Sequence, residues 1–182
     1  MLQEAYSSLL AERESGEISV TDVVNRAGLN RSTFYAHYDN IDALAKELLG
    51  GILSKFHAVA ADALQRDFIN DPEPILEGLA AYLESKRTIL RQLLQARQAD
   101  ELITWLRREL LDLMRESLRR AGRDESDIEY LVPTDYLSVA LAAVYRSWIE
   151  GGYGDAGVDE VTHLAAAYVR ASTPAIVAGL SA

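Results

Sequence analysis

Residues 18–38 read Ile18-Ser-Val-Thr-Asp-Val-Val-Asn-Arg-Ala-Gly-Leu-Asn-Arg-Ser-Thr-Phe-Tyr-Ala-His-Tyr38. Ser19-Val-Thr-Asp22 has the shape of a capping box, with aspartate where glutamate usually stands. Ile18 and Val23 occupy the positions of a hydrophobic staple around it. The pattern recurs eleven residues later: Asn30 can cap a second helix, flanked by Leu29 and Phe34. Between them lies Ala27-Gly28-Leu29, and a tight corner between helices needs the left-handed backbone that glycine adopts without strain. Two short capped helices joined by a glycine corner predict a helix-turn-helix. Helices this short are unstable alone. The amphipathic stretch 2–12 (Leu2, Ala5, Tyr6, Leu9, Leu10) and the start of a helix at Ile41 are expected to cover them.

The second short helix has an unusual outer side. With Phe34 and Leu29 turned inward, Arg31, Ser32, Thr33, Tyr35, Ala36 and His37 lie outside or at the edge. Arg31 can present paired N–H groups to guanine O6 and N7 in a major groove. Ser32 and Thr33 can donate to bases or phosphates, and the small Ala36 lets the helix sit deep. Tyr35 and His37 can donate to phosphate oxygens and set register. Thr21 faces the same groove from the preceding helix, and Ser19 and Asn30, at the two helix starts, are counted with these residues as candidate DNA contacts.

Ile18-Ser-Val-Thr-Asp-Val-Val, Ala27-Gly-Leu and Arg31-Ser-Thr-Phe-Tyr-Ala-His-Tyr together resemble the head of TetR-family transcriptional regulators, over Leu2 to about Leu49. The resemblance implies a homodimer. Its second short helices read a palindromic double-stranded DNA operator, and a small-molecule effector bound in the body weakens that hold, usually releasing a repressor. One departure stands out: the family usually places a phosphate-contacting lysine at the start of the fourth helix, where this chain has Ile41. The family also usually has a basic lead-in before the first helix, so either a basic arm lies upstream of Met1 or affinity is modest.

The rest of the 182-residue chain is helical in pattern. Leu44, Leu48, Ile52 and Phe56 share a face of a helix expected from Ile41 to about Asn70, stopped by Asp71-Pro72. Helices follow at 75–83, 86–97, 100–121, 134–150 and 158–179, with Pro174 expected to bend or end the last near Thr173. No hairpin turn, alternating β-branched run or internal repeat occurs. The fold class is all-α: a three-helix helix-turn-helix head (1–47) on a helical-bundle body for ligand binding and dimerisation (48–182).

Residues 134–151 are apolar almost all round, so that helix must be buried on every side, one side by a partner subunit. Leu141, Val144 and Trp148 with Leu164 and Tyr168 of the last helix are the expected interface, a two-fold four-helix contact. Phe56, Tyr82, Trp105, Tyr136 and Tyr145 are the expected lining of a mostly apolar ligand pocket. Gly50-Gly51 interrupts the long helix, through close packing or as a soft point that couples body to head. Glu150-Gly-Gly-Tyr-Gly-Asp-Ala-Gly157 lacks the Gly-Lys-Ser/Thr ending of a phosphate loop and reads as a flexible connector.

Composition excludes several function classes. There is no cysteine, hence no disulfide, thiol nucleophile or cysteine-held metal. The three histidines are far apart in sequence, so no metal or cofactor is expected. No nucleophile–base pairing is visible, and an enzyme is not expected. The longest charge-free run, Ala171–Ala182, is well short of the roughly 18 residues of a membrane span, and no signal peptide is apparent, so the cytoplasm is the default location. The net charge of −10 opposes non-specific nucleic-acid binding. Residues 1–57 hold eight acidic and five basic side chains, net −3, which predicts few phosphate contacts and a shallow salt dependence. A dimeric helical adaptor that no longer binds DNA strongly is therefore the alternative. A DNA reader must set its two reading helices about 34–36 Å apart, or a multiple of one turn; an adaptor need not.

Overall fold

The computed structural model describes residues 1–63, 71–95, 99–124 and 126–178. Among these, eight α-helices and no strand occur: α1 Leu2–Leu10, α2 Val20–Ala27, α3 Arg31–Tyr35, α4 Ile41–Ala63, α5 Glu73–Gln95, α6 Ala99–Arg120, α7 Ile128–Glu150 and α8 Val158–Ala178. The all-α class follows. The stop of the long helix near Asn70 lies outside the described residues.

The chain divides into two compact units, Met1–Lys55 with Lys86–Leu102, and Phe56–Ser85 with Ile103–Ala182. In the first, Leu9, Leu10 and Tyr6 of α1 bury with Val23 and Val24 of α2, Phe34 of α3, and Leu44 and Leu49 of α4. Arg26 of α2 reaches back to α1, donating to Ser8 at 2.5 Å and pairing with Glu12 at 2.6 Å. The Ser15 backbone N–H donates to the Gln92 side-chain carbonyl at 3.1 Å, joining the second stretch of this unit to the first. In the second unit, Leu141, Tyr145, Trp148 and Ile149 of α7 bury with Val161, Ala165, Ala166 and Val169 of α8. The Tyr145 hydroxyl and Thr162 hydroxyl lie 3.2 Å apart in this layer, and Trp148 Nε1 donates to Ala156 C=O at 3.3 Å.

Several boundaries differ from the sequence pattern, each for a local reason. The separate helices expected at 75–83 and 86–97 are one helix, α5. The polar Glu84-Ser85 pair lies within it, the Ser85 hydroxyl donating to the Tyr82 carbonyl at 2.7 Å. Pro74 sits in its first turn, where a missing N–H is harmless. α7 starts at Ile128 rather than 134: Asp127 caps it by accepting from Glu129 N–H at 3.1 Å, and Pro133 lies within the helix. Thr134 beside it donates to the carbonyls of Tyr130 and Leu131 at 2.7 and 3.0 Å. Nor does α8 end near Thr173, since it runs across Pro174 to Ala178. The expected flexible connector is a chain of hydrogen-bonded turns, opened by Gly151 at φ +88° and closed by Gly151 N–H to Trp148 C=O at 3.1 Å and Gly152 N–H to Ser147 C=O at 2.8 Å.

Gly50 and Gly51 both lie inside α4, and a Cβ at either would meet no atom within 4 Å. Close packing therefore does not account for them. Each lowers helix stability by roughly 1 kcal/mol relative to alanine. Gly50→Ala with Gly51→Ala is expected to raise stability by up to about 2 kcal/mol, read as a higher midpoint in thermal unfolding. An unchanged or lower midpoint would contradict open space at these positions.

Candidate nucleic-acid interface

α2 is held at both ends by its own sequence. The Ser19 hydroxyl accepts from Asp22 N–H at 3.3 Å and donates to the Asp22 carboxylate at 2.5 Å, while Ser19 N–H donates to the same carboxylate at 2.9 Å. The capping box read from Ser19-x-x-Asp22 is complete. These bonds from Ser19, with Arg13 at 3.3 Å, hold the Asp22 carboxyl down to about 2. At the other end Gly28 adopts φ +66°, and Leu29 N–H returns to Val24 C=O at 2.8 Å. A side chain at position 28 would be strained by that backbone.

Asn30 caps α3, its Oδ1 accepting from Thr33 N–H at 2.8 Å, from the Ser32 hydroxyl at 2.6 Å and from the Thr33 hydroxyl at 2.9 Å. α3 is five residues long and is anchored by Phe34, which is wholly buried with Tyr35 and Tyr38 at 5.6 Å ring-centre distances. Arg31, Ser32, Tyr35, Ala36 and His37 are exposed, Tyr35 at 56%. Thr21 and Thr33 are partly covered. The Arg31 guanidinium donates from Nη2 to the Thr21 hydroxyl, joining the starts of the two helices. A groove of about 470 Å³ runs beside α3, lined by Met1–Glu4, Leu29, Thr33, His37 and Tyr38.

The charges of the head are sorted by this geometry. Arg13 and Arg26 are drawn to the carboxylates of Asp22 and Glu12. Arg31 donates to a neutral hydroxyl, that of Thr21, so this contact leaves its charge uncompensated on the exposed face. Ser19, by contrast, has spent its proton on Asp22. Its part is in capping, and nothing in the sequence alone separates a capping serine from a contact serine. The Asn30–Ser32 bond is also invisible in residue types; its trace is only the spacing Asn-x-Ser-Thr at a helix start.

In the second unit, Phe56 meets Tyr82 at 6.2 Å and Trp105 at 5.3 Å, both edge-on. Three of the five expected pocket aromatics thus cluster. Burial pushes the Tyr82 hydroxyl pKa up. Tyr145 instead lies buried against Thr162, its pKa pushed up to about 12 by burial. Tyr136 is 72% exposed on α7 and lines no interior. His57 pairs with the Glu109 carboxylate at 2.7 Å. His163 and Arg170 of α8 share the Glu73 carboxylate at 2.8 and 2.5 Å, and together hold its pKa down, His163 first.

Of the expected interface residues, Leu141 and Trp148 are buried in the chain's own α7–α8 layer. Val144, Leu164 and Tyr168 come together on a groove of about 300 Å³ with Tyr153, Ala156 and Val161. Leu164 is 54% and Tyr168 74% exposed. α7 adds an exposed apolar row of Ile128, Val132, Tyr136 and Val139.

The fold can be compared with solved structures. The dihydroxyacetone kinase operon activator DhaS superposes with a TM-score of 0.70 at 18% identity, over 95% of this chain and 94% of DhaS. The TetR-family repressor AlkX from Dietzia sp. strain DQ12-45-1b, implicated in biodegradation of n-alkanes, superposes with a TM-score of 0.59 at 20% identity, over 99% and 95%. The chain has the fold of a TetR-type regulator. Its likeness to that family extends along nearly the whole chain at the level of fold, and both relatives are transcriptional regulators rather than enzymes. No protein-family model matches the sequence, and no curated protein matches it. Among the described residues no helix is long and apolar enough to cross a membrane, and no group of three or more metal-ligating side chains comes together.

Proposed function

We propose that the protein is a sequence-specific DNA-binding transcriptional regulator of the TetR type, a repressor that binds a palindromic operator as a homodimer. Residues 1–47 form the DNA-binding head and 48–182 the ligand-binding and dimerisation body. The observation that carries this reading is the outer face of α3, where Arg31, Ser32, Tyr35, Ala36 and His37 are exposed while Phe34 anchors the helix from behind. Arg31, Ser32 and Ala36 reach base edges; Tyr35 and His37 contact phosphates. The partner subunit covers Val144, Leu164 and Tyr168. An exposed apolar groove of this kind is what an isologous helical interface hides. The effector is small and mostly apolar, resting against Phe56, Tyr82 and Trp105, and Gly50-Gly51 softens the helix that carries its effect toward the head.

Selection from random duplexes, by the purified dimer at two salt concentrations, tests this. A palindromic site is expected, with a shallow salt slope because few phosphates are neutralised. Arg31→Ala is expected to lose about 1–3 kcal/mol of discrimination at one base pair of each half-site. Unchanged preference there would remove Arg31 from the readout. The adaptor reading is favoured by the net charge of −3 over residues 1–57, and absence of any enriched site would leave it standing.

A further inference from the structure

We propose that Asn30 sets the hydrogen-bonding polarity of the DNA-reading surface, turning Ser32 into an acceptor that selects a base amino group beside the donor Arg31. The inference rests on the reading of α3 as a DNA-binding element and names what it reads. Thr33 N–H lies 2.8 Å from the Asn30 side chain, and a backbone N–H only donates. The atom facing it is therefore the amide oxygen, whose two lone pairs are all Asn30 can offer there. One lone pair goes to Thr33 N–H. The hydroxyls of Ser32 at 2.6 Å and Thr33 at 2.9 Å compete for the other, and the shorter contact takes it.

With its proton given to Asn30, the exposed Ser32 hydroxyl shows only lone pairs to a ligand. Phosphate oxygens are acceptors and gain nothing from such a group. In the major groove the matching donors are adenine N6–H2 and cytosine N4–H2. Arg31 is fixed in the opposite sense. A guanidinium has donors alone, and its bond to Thr21 points it across the starts of α2 and α3. The neighbouring pair thus reads a guanine through its acceptors and an adjacent base through its amino group. Asn30 is a positioning residue here, acting through Ser32.

The test begins with the site selected by the unmodified dimer. Ser32→Ala locates the base pair read by Ser32 as the one whose preference flattens. At that pair, adenine is replaced by purine or cytosine by 2-pyrimidinone, which removes only the amino group; 7-deaza purines remove only the N7 acceptor. Loss of the amino group is expected to weaken binding of the unmodified protein roughly two- to tenfold, the range of one neutral hydrogen bond, and to leave Ser32→Ala unaffected. Asn30→Gly keeps a competent helix cap but frees the Ser32 hydroxyl to donate as well as accept, and is expected to lose the preference for an amino group over an acceptor at that pair. Sensitivity to 7-deaza purine instead, or Ser32→Ala leaving every preference intact, would overturn the proposal while the DNA-binding reading survives. No enriched site at all would overturn both.

Discussion

Leu164→Asp combined with Tyr168→Asp yields a folded monomer whose affinity for the selected operator falls by about 10²–10⁴-fold. Both side chains are more than half exposed on one face of α8, beside Val144 of α7. Placing two carboxylates on each side of a two-fold contact sets like charges against one another and leaves them unpaired on association. Because the residues carry little of the chain's own core, helicity and thermal midpoint are expected to change little. The loss of affinity follows from linkage: two heads joined in one particle raise the local concentration of the second at its half-site. Sedimentation or light scattering reads the mass, and a binding titration reads the affinity. A double variant that stays dimeric would move the interface elsewhere, the exposed row Ile128, Val132, Tyr136 and Val139 being next in line.

Phe34→Ala is expected to destabilise the protein by about 3–5 kcal/mol, the range for emptying a buried aromatic site. Phe34 is wholly buried and is the only buried residue of the five in α3. A helix of one turn and a half has no stability of its own, so the anchor decides whether the reading face exists. Against a typical total of about 5–15 kcal/mol, the loss takes from about a fifth to all of the stability. Denaturant unfolding followed by helical signal reads the change, and operator binding is lost with it. A cost below about 1 kcal/mol would mean that other contacts hold α3 in place.

Much of the head is legible in the sequence because its signals are local. Ser19 with Asp22, Gly28, and Asn30 with Thr33 each settle one helix end within three or four residues, and the structure has all of them. The body is less legible. Along α7 apolar residues occupy every side, so no periodicity distinguishes Leu141 and Trp148, buried at home, from Val139, which faces outward. Packing of α8 against one flank makes that choice, and sequence pattern does not contain it. Tyr136 fails for the same reason: a tyrosine in an apolar helix reads as a lining residue until the neighbouring helix is in place. α5 runs through residues 84–85, the Ser85 hydroxyl turning inward to Tyr82, and α7 starts at Ile128, with Thr134 donating to helix carbonyls beside Pro133. In the candidate interface, residue types point to DNA chemistry. Which hydroxyls keep a proton to give depends on distances around Asn30 and Asp22 of a few tenths of an ångström, which no spacing rule reports.

In the proposed complex, two copies of α3 enter successive major grooves on one side of a duplex. Dimethyl sulfate footprinting of the operator-bound dimer measures this directly, because the reagent attacks guanine N7 in that groove. Two protected guanines are expected, centred about 10–10.5 base pairs or a multiple apart, with both protections lost in Arg31→Ala. Uniform guanine reactivity in a bound complex, or protections that persist without the Arg31 side chain, would contradict the account.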